Sequence, residues 1–160
     1  MSTASFKIDI NKIPDASNIK FGIVVSNWNS DITNNLLKGS LDLLKSKNVS
    51  NNNIKVINVP GSFELIYGCK KMQEQNVDVV IAIGSIIRGE TKHFDFICNA
   101  ISIGIKDLNV SKNCPIIFCV LTDKTLQQAI DRSGGIHGNK GIESAIVAIK
   151  MAQLRKDAKF

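Results

Sequence analysis

The sequence predicts an α/β fold in which a four-stranded parallel sheet lies between two layers of helices, as a three-layer sandwich. Four short segments are predicted strands, and the first, residues 21–25, is a continuous apolar run of the kind expected for a strand buried on both faces. Segments with apolar residues at helical spacing follow these strands. Strands that alternate with helices form parallel sheets, and their right-handed crossovers cover both faces of the sheet.

The first half of the chain contains two strand–helix units. Residues 21–25 form the first strand, and the helix after it has Ser30 or Asp31 as its predicted N-cap. Residues 54–59 form the second strand. A proline–glycine turn then leads into a helix predicted over residues 62–75.

The second half contains two more units and a final helix. We predict the third strand over 77–83, its helix over 91–108, the fourth strand over 115–121, a short helix over 123–132 that begins after Thr122, a glycine-rich loop over 133–141 and a last helix over 141–155.

The N-terminal 18 residues are a polar, irregular extension with one alternating segment, Phe6–Ile10. That segment predicts a short edge strand, which pairs with its own sheet or with the sheet of a neighbouring subunit. The chain contains no internal repeat and no break in composition, so we expect residues 1–160 to form one domain.

Composition and charge disfavour several classes of protein. The net charge of +6 comes from scattered lysines, and one Trp and one Tyr do not make a basic stripe with stacking aromatics, so nucleic acid is not the expected partner. No apolar run reaches the roughly 20 residues of a membrane span, and the N-terminus lacks the apolar core of a signal peptide. We therefore expect a cytoplasmic protein that does not bind membranes.

Cysteine and histidine usage predicts neither disulfides nor a metal site. The four cysteines show no CxxC spacing and lie in or beside apolar runs, which indicates reduced, buried, structural thiols. The two histidines are not near a cysteine pair. We expect no metal site.

The unusual residues follow the carboxyl ends of the predicted strands, where parallel sheets bind ligands. They occupy residues 27–29, 60–64, 84–93 and Thr122. The third of these segments is the central one, because Gly84 and Gly89 flank a polar turn. The amides around Gly89, Glu90 and Thr91 are the predicted free donors of a helix N-terminus, where phosphate binds readily.

Each candidate side chain also has an ordinary structural role. His93 is either a neutral proton carrier about one turn into its helix or a surface histidine. Arg132 either clamps a phosphate or caps a helix C-terminus, and Lys140 serves either purpose. Trp28 either stacks on a planar heterocycle or anchors the core. Glu64 favours the helix dipole even without a ligand.

Other ligand motifs of this architecture are missing from the sequence. Neither GxGxxG nor GxxxxGK[ST] occurs, and the first strand is not followed by a Thr/Ser/Gly-rich loop for a flavin phosphate. A dinucleotide or nucleoside triphosphate site is therefore not expected.

Five segments, in order, resemble the lumazine synthase family. They are Asn27-Trp28-Asn29 with Ile32-Thr33, Pro60-Gly-Ser-Phe-Glu64, the run from Gly84 to Asp95 (G-x-x-I-[RK]-G-x-T-x-H-[FY]-[DE]), Val120-Leu-Thr122 with Gln128, Ala129 and Arg132, and Gly138 to Glu143. The resemblance spans roughly residues 21–154, and the third segment is highly specific. It departs from the common family pattern at Asn27, Cys119 and the loop over residues 133–137.

The resemblance implies a flavodoxin-like strand order and a reaction of riboflavin biosynthesis. The reaction condenses 5-amino-6-(D-ribitylamino)uracil with 3,4-dihydroxy-2-butanone 4-phosphate, and it yields 6,7-dimethyl-8-ribityllumazine, phosphate and water. The resemblance implies that no metal and no organic cofactor is needed. The resemblance assigns proton transfer to His93 and phosphate binding to Glu90, Thr91 and Arg132. It assigns the pyrimidine and ribityl chain to Trp28, Ser62, Phe63, Glu64, Ser85, Ile86, Ile87 and Phe118, the last from a neighbouring subunit, with Lys140 as a supporting residue.

The resemblance also implies assembly. Family members form pentamers with sites between subunits, and some pack twelve pentamers into an icosahedral shell, which we expect here because the glycine-rich loop is short. Riboflavin synthase is a further expected partner. Two other functions suit the same scaffold, a flavin- or lumazine-binding protein without turnover and a shell that has lost catalysis, but Glu64, His93 and Arg132 are all present.

Overall fold

A computed structural model describes residues 12–158 of the chain. Its sheet strands are β1 (Phe21–Ser26), β2 (Ile54–Val59), β3 (Val79–Ile87) and β4 (Ile116–Asp123). Its helices are α1 (Ser30–Ser46), α2 (Leu65–Gln73), α3 (His93–Ser111), α4 (Leu126–Arg132) and α5 (Lys140–Asp157), and a short hairpin of β5 (Ser133–Gly135) and β6 (Gly138–Asn139) lies between the last two.

The four long strands form one parallel sheet in the order β2-β1-β3-β4. This confirms the predicted three-layer architecture with a flavodoxin-like order. The chain moves outwards from β1 to β2 and then crosses to β3 and β4, so the crevice beyond the carboxyl ends opens between β1 and β3. The predicted edge strand Phe6–Ile10 lies outside the described residues.

The core consists of two apolar clusters, one on each face of the sheet. On one face, α1 and α5 pack on residues such as Phe21, Ile23 and Ile81, all fully buried. On the other face, α2 and α3 pack on Val24, Val80 and their neighbours. Because both of their faces are covered, β1, β3 and β4 are mainly apolar, whereas the edge strand β2 includes the exposed residues Lys55 and Asn58.

Several predicted boundaries were wrong by a few residues. The strand β3 runs on to Ile87, because residues 84–87 pair in parallel register with residues 120–123 of β4. The segment from Gly84 is therefore strand and not turn, and Asp123 belongs to β4 and not to the short helix. The predicted glycine-rich loop contains the β5–β6 hairpin.

Two helix starts also differ from the prediction. The N-cap of α1 is Asn29, which has a left-handed backbone (φ 58°), and not Ser30 or Asp31. The helix α2 begins at Leu65, so Glu64 is its N-cap residue and lies just before its first turn. No helix within residues 12–158 is long and apolar enough to cross a membrane.

Candidate active site

Three loops meet at the carboxyl edge of the sheet and are tied together by hydrogen bonds. The backbone amides of Asn27 and Trp28 donate to the carbonyls of Val59 (2.8 Å) and Pro60 (3.1 Å). The side-chain amide of Asn29 donates to the carbonyl of Ser85 at 2.9 Å. The ends of β2, β1 and β3 therefore form one connected wall, as the positions of the unusual residues predicted.

Two aromatic side chains of this wall face solvent. Trp28 is 70% exposed and Phe63 is 50% exposed. The structural alternative for Trp28, a core anchor, is wrong for the single chain. Large exposed rings on ordered backbone are suited to stacking on a planar ligand.

Two buried hydroxyls lie behind the wall. The Oγ atoms of Ser62 and Ser85 have no hydrogen-bond partner among the described residues, although Ser62 is 7% and Ser85 1% exposed. A Cβ at Gly84 would lie 2.8 Å from Ser62 Oγ, so glycine is needed for this close approach. Unsatisfied buried hydroxyls favour a polar ligand or an ordered water here.

Glu64 folds back over the turn that precedes it. A Cβ at Gly61 would lie 2.8 Å from Glu64 Oε2, which places the carboxylate directly above the glycine. The side chain is exposed. A carboxylate in this place can accept hydrogen bonds from an amine or a hydroxyl of a ligand.

The loop between β3 and α3 carries the predicted phosphate site. The amide of Arg88 donates to the carbonyl of Asp123 at 2.9 Å, which fixes the start of the loop to β4. The side chain of Arg88 pairs with Asp95 (Nη2–Oδ1 2.6 Å) and lies 4.4 Å from the centre of the Phe94 ring. Arg88 is therefore held by α3.

His93 is the first residue of α3 and is exposed, so the prediction that it lies one turn into the helix was wrong. Its backbone amide donates to Thr91 Oγ1 at 3.3 Å. Glu90 and Thr91 consequently lie in the loop before the helix and not in its first turn. Their exposed amides still precede the positive end of the α3 dipole.

Arg132 ends α4, as predicted, and its guanidinium lies beside a buried carboxyl. Its Nη1 donates to the carbonyl of Gln128 (3.1 Å) and lies 3.4 Å from Asp123 Oδ1. Burial raises the pKa of Asp123, and the charge of Arg132 opposes that rise. Sequence reasoning did not single out Asp123, because it was assigned to an exposed helix and not to a buried strand end.

The open edge of β4 forms the floor of a long groove. Phe118, Asp123, Arg132 and Lys140 all line it. Phe118 is level with Ala82 in the middle of the sheet and is 40% exposed. Lys140 pairs with Glu143 at 2.7 Å. The chain by itself thus places Phe118 on the outer edge, whereas Trp28 lies beyond the end of β1.

The remaining predicted contacts, Ile86 and Ile87, are half-buried at the end of β3. The structure brings Trp28, Phe63 and Ser85 to one connected wall, and it brings Arg132 to the groove beside β4. Together, the sheet order and these features define a protein of the flavodoxin-like α/β class, whose candidate small-molecule site lies at the carboxyl edge of its sheet.

Comparison with known proteins identifies the family. The family model described as 6,7-dimethyl-8-ribityllumazine synthase matches residues 18–156, and the chain belongs to this family. The protein of that name from Christiangramia forsetii is 59% identical over 95% of this chain and 92% of its own length. Those from Flavobacterium johnsoniae and Flavobacterium psychrophilum are 60% and 57% identical, over 94% and 99% of this chain and 80% and 86% of their own lengths.

Proposed function

We propose that this chain condenses 5-amino-6-(D-ribitylamino)uracil with 3,4-dihydroxy-2-butanone 4-phosphate at the carboxyl edge of its sheet. The products are 6,7-dimethyl-8-ribityllumazine, phosphate and water. The chain is an enzyme, a transferase of riboflavin biosynthesis. The connected wall, in which Asn29 joins the end of β1 to Ser85 at the end of β3, is the observation that supports this location of the site.

The wall suits the pyrimidine substrate. The exposed indole of Trp28 stacks on the planar ring, and the backbone of Ser85, Ile86 and Ile87 offers donors and acceptors along its edge. On the other side, residues 62–64 bind the ribityl chain. There Ser62 and Phe63 contact it, and the carboxylate of Glu64 positions the amine.

The loop before α3 and the guanidinium of Arg132 suit the phosphate. Glu90 and Thr91 offer backbone amides near the positive end of the helix. Arg132 provides planar N–H donors that match phosphate oxygens. The ion pair between Lys140 and Glu143 lies in the same groove and gives Lys140 a supporting role.

His93 is the residue we assign to proton transfer. Its imidazole is exposed at the start of α3, next to the loop that carries the phosphate donors. At this place a neutral ring can accept a proton during imine formation and return one during phosphate elimination. Much of the acceleration comes from holding the two reactants together.

The test follows lumazine absorbance when both substrates are mixed with the wild-type enzyme or with His93→Ala. We expect wild type to exceed the spontaneous rate clearly and the variant to lose about 100- to 10,000-fold in kcat, the usual range for a general acid–base group. A wild-type rate equal to the spontaneous background, together with tight binding of lumazine or riboflavin, would instead identify a binding protein without turnover.

Assembly completes the proposal. Phe118, on the open edge of β4, closes the pyrimidine site of a neighbouring subunit, and the enzyme forms pentamers. We further propose that twelve pentamers form a shell, that riboflavin synthase is a partner and that the enzyme works in the cytoplasm as one domain over residues 1–160.

A further inference from the structure

We infer that Asp123 is a positioning residue that holds Arg132 in the orientation needed to bind the substrate phosphate. The inference rests on the proposed function, which gives Arg132 that phosphate. Three independent features of the described residues support it. They are the contacts that Arg132 makes through one guanidinium nitrogen, the burial of the Asp123 carboxyl, and the hydrogen bond of the Asp123 backbone.

One nitrogen of the guanidinium takes up both intramolecular contacts. Nη1 lies 3.1 Å from the carbonyl oxygen of Gln128 and 3.4 Å from Asp123 Oδ1. Among residues 12–158, Nη2 and Nε make no hydrogen bond and no ion pair. The planar group is thus held at one nitrogen, and its other N–H donors are left for a ligand.

The pair is unequally buried. The side chain of Asp123 is 7% exposed, whereas that of Arg132 is 29% exposed. The second carboxyl oxygen, Oδ2, is buried and has no hydrogen-bond partner among the described residues. A carboxyl in this position costs desolvation free energy that a single ion pair offsets only in part, which is a poor arrangement for stability alone. It suits a group that orients a cation at the mouth of the groove.

The backbone of the same residue supports the other half of the phosphate site. The carbonyl of Asp123 accepts the amide of Arg88 at 2.9 Å, at the start of the loop that carries Glu90 and Thr91. Asp123 therefore contacts both elements that bind the phosphate, one through its side chain and one through its main chain. Through these two contacts, Asp123 sets the spacing between the loop and Arg132 before a ligand binds to both.

The experiment measures steady-state kinetics of Asp123→Ala and Asp123→Asn with each substrate varied separately. For Asp123→Ala we expect the KM for the butanone phosphate to rise about tenfold, as for loss of a charge-assisted contact, while the KM for the pyrimidine stays within about twofold. Asp123→Asn keeps an oxygen that can accept from Nη1, and we expect a rise of about threefold. The inhibition constant of inorganic phosphate rises in parallel.

Two further variants separate positioning from other roles. Asp131→Asn removes a half-buried carboxylate next to Arg132 that accepts instead from Gln127, and we expect its KM values to equal those of wild type. In the Arg132→Ala background, Asp123→Ala should cause no further rise in the KM for the butanone phosphate, because the group that it orients is gone.

The outcomes are distinguishable. If Arg132→Ala raises this KM but neither Asp123 variant does, or if the effects of Asp123 and Arg132 add in full, positioning by Asp123 is overturned and the proposed function stands. If Arg132→Ala leaves the KM unchanged, the phosphate role of Arg132 fails and the inference fails with it. Should Asp123→Ala not fold, the nearly isosteric Asp123→Asn decides by the same comparison.

Discussion

Burial controls the chemistry of the individual cysteine residues. Cys69, Cys114 and Cys119 are buried and free, while Cys98 is half-buried. Burial raises the pKa of Cys114 and of Cys119 to about 11, and it raises that of Cys69 further. The prediction of buried thiols is therefore confirmed for three of the four.

We predict that these three thiols resist alkylation in the native enzyme. At pH 8 the solution is well below a pKa of about 11, so the thiolate that reacts is scarce and is also shielded. Mass spectrometry after iodoacetamide treatment should show no label on Cys69, Cys114 or Cys119, and full label after denaturation in guanidinium chloride. Native labelling of two of them at pH 8 would contradict this picture.

The positions of individual residues were predictable where the residue type and its place along the chain already restricted the local structure. Trp28 was correctly placed beyond the carboxyl end of a strand, and Arg132 was correctly placed at the end of a short helix. Asp123 was missed because its neighbourhood depends on which strand it ends and on what packs over it. For Trp28, the choice between a core anchor and an exposed ring was likewise decided by its exposure, which depends on how the loops pack.

Among the elements, the crossing of α1 and α5 depends on close backbone contact. A Cβ at Gly141 would lie only 1.9 Å from the backbone oxygen of Leu36. The hydroxyl of Ser40 lies 3.0 Å from both that oxygen and the oxygen of Gly141, so it bridges the two helices. The contact leaves no room for a side chain at residue 141.

We predict that Gly141→Ala destabilises the enzyme by at least about 2 kcal/mol, because α5 must move away from α1 to admit a methyl group. The thermal unfolding midpoint should fall by roughly 5 °C or more for a chain of this length. The matched control is Gly89→Ala, since no heavy atom of the described residues, other than those of Gly89 and its two chain neighbours, would lie within 4 Å of a Cβ there. Equal midpoints for both variants would exclude the close-contact explanation.

The bounds of the strands and helices show why a local sequence pattern predicts them only in part. The apolar run predicted a strand that ended at residue 83, but pairing with β4 extends it to Ile87. Polar and glycine residues at a strand end do not reveal whether a neighbour supplies hydrogen-bond partners there. The same applies to α3, which begins at His93 with Lys92 as its N-cap residue and without a capping side chain, so no local capping signal marked its start.

On the scale of the whole molecule, several large apolar side chains are exposed to solvent in the single chain. On α3, Phe96, Ile103 and Val110 are 69%, 47% and 81% exposed, and their spacing of seven residues places them on one stripe. The edge of β4 adds Phe118. Contiguous exposed apolar surface of this kind is suited to burial between subunits, as the proposed pentamer requires.

We predict that Phe96→Glu breaks the assembly, because it would place a charge within an apolar interface. Sedimentation velocity should show pentamers or larger particles for wild type and mainly smaller species for the variant. Lys38→Glu, on an exposed side chain of α1, is the control and should sediment as wild type does. A wild-type profile for Phe96→Glu would place the subunit interface elsewhere.

The sequence by itself determined the parallel α/β architecture, the order of strands and helices, the edge of the sheet where we propose the site, and the resemblance to one enzyme family. These follow from apolar periodicity and from motifs, which are properties of neighbouring residues along the chain. The tertiary structure decided the extent of β3 and β4, the exposure of Trp28 and the pairing of Asp123 with Arg132. These depend on contacts between residues distant in sequence, whose geometry is fixed only when the sheet and its helices pack together.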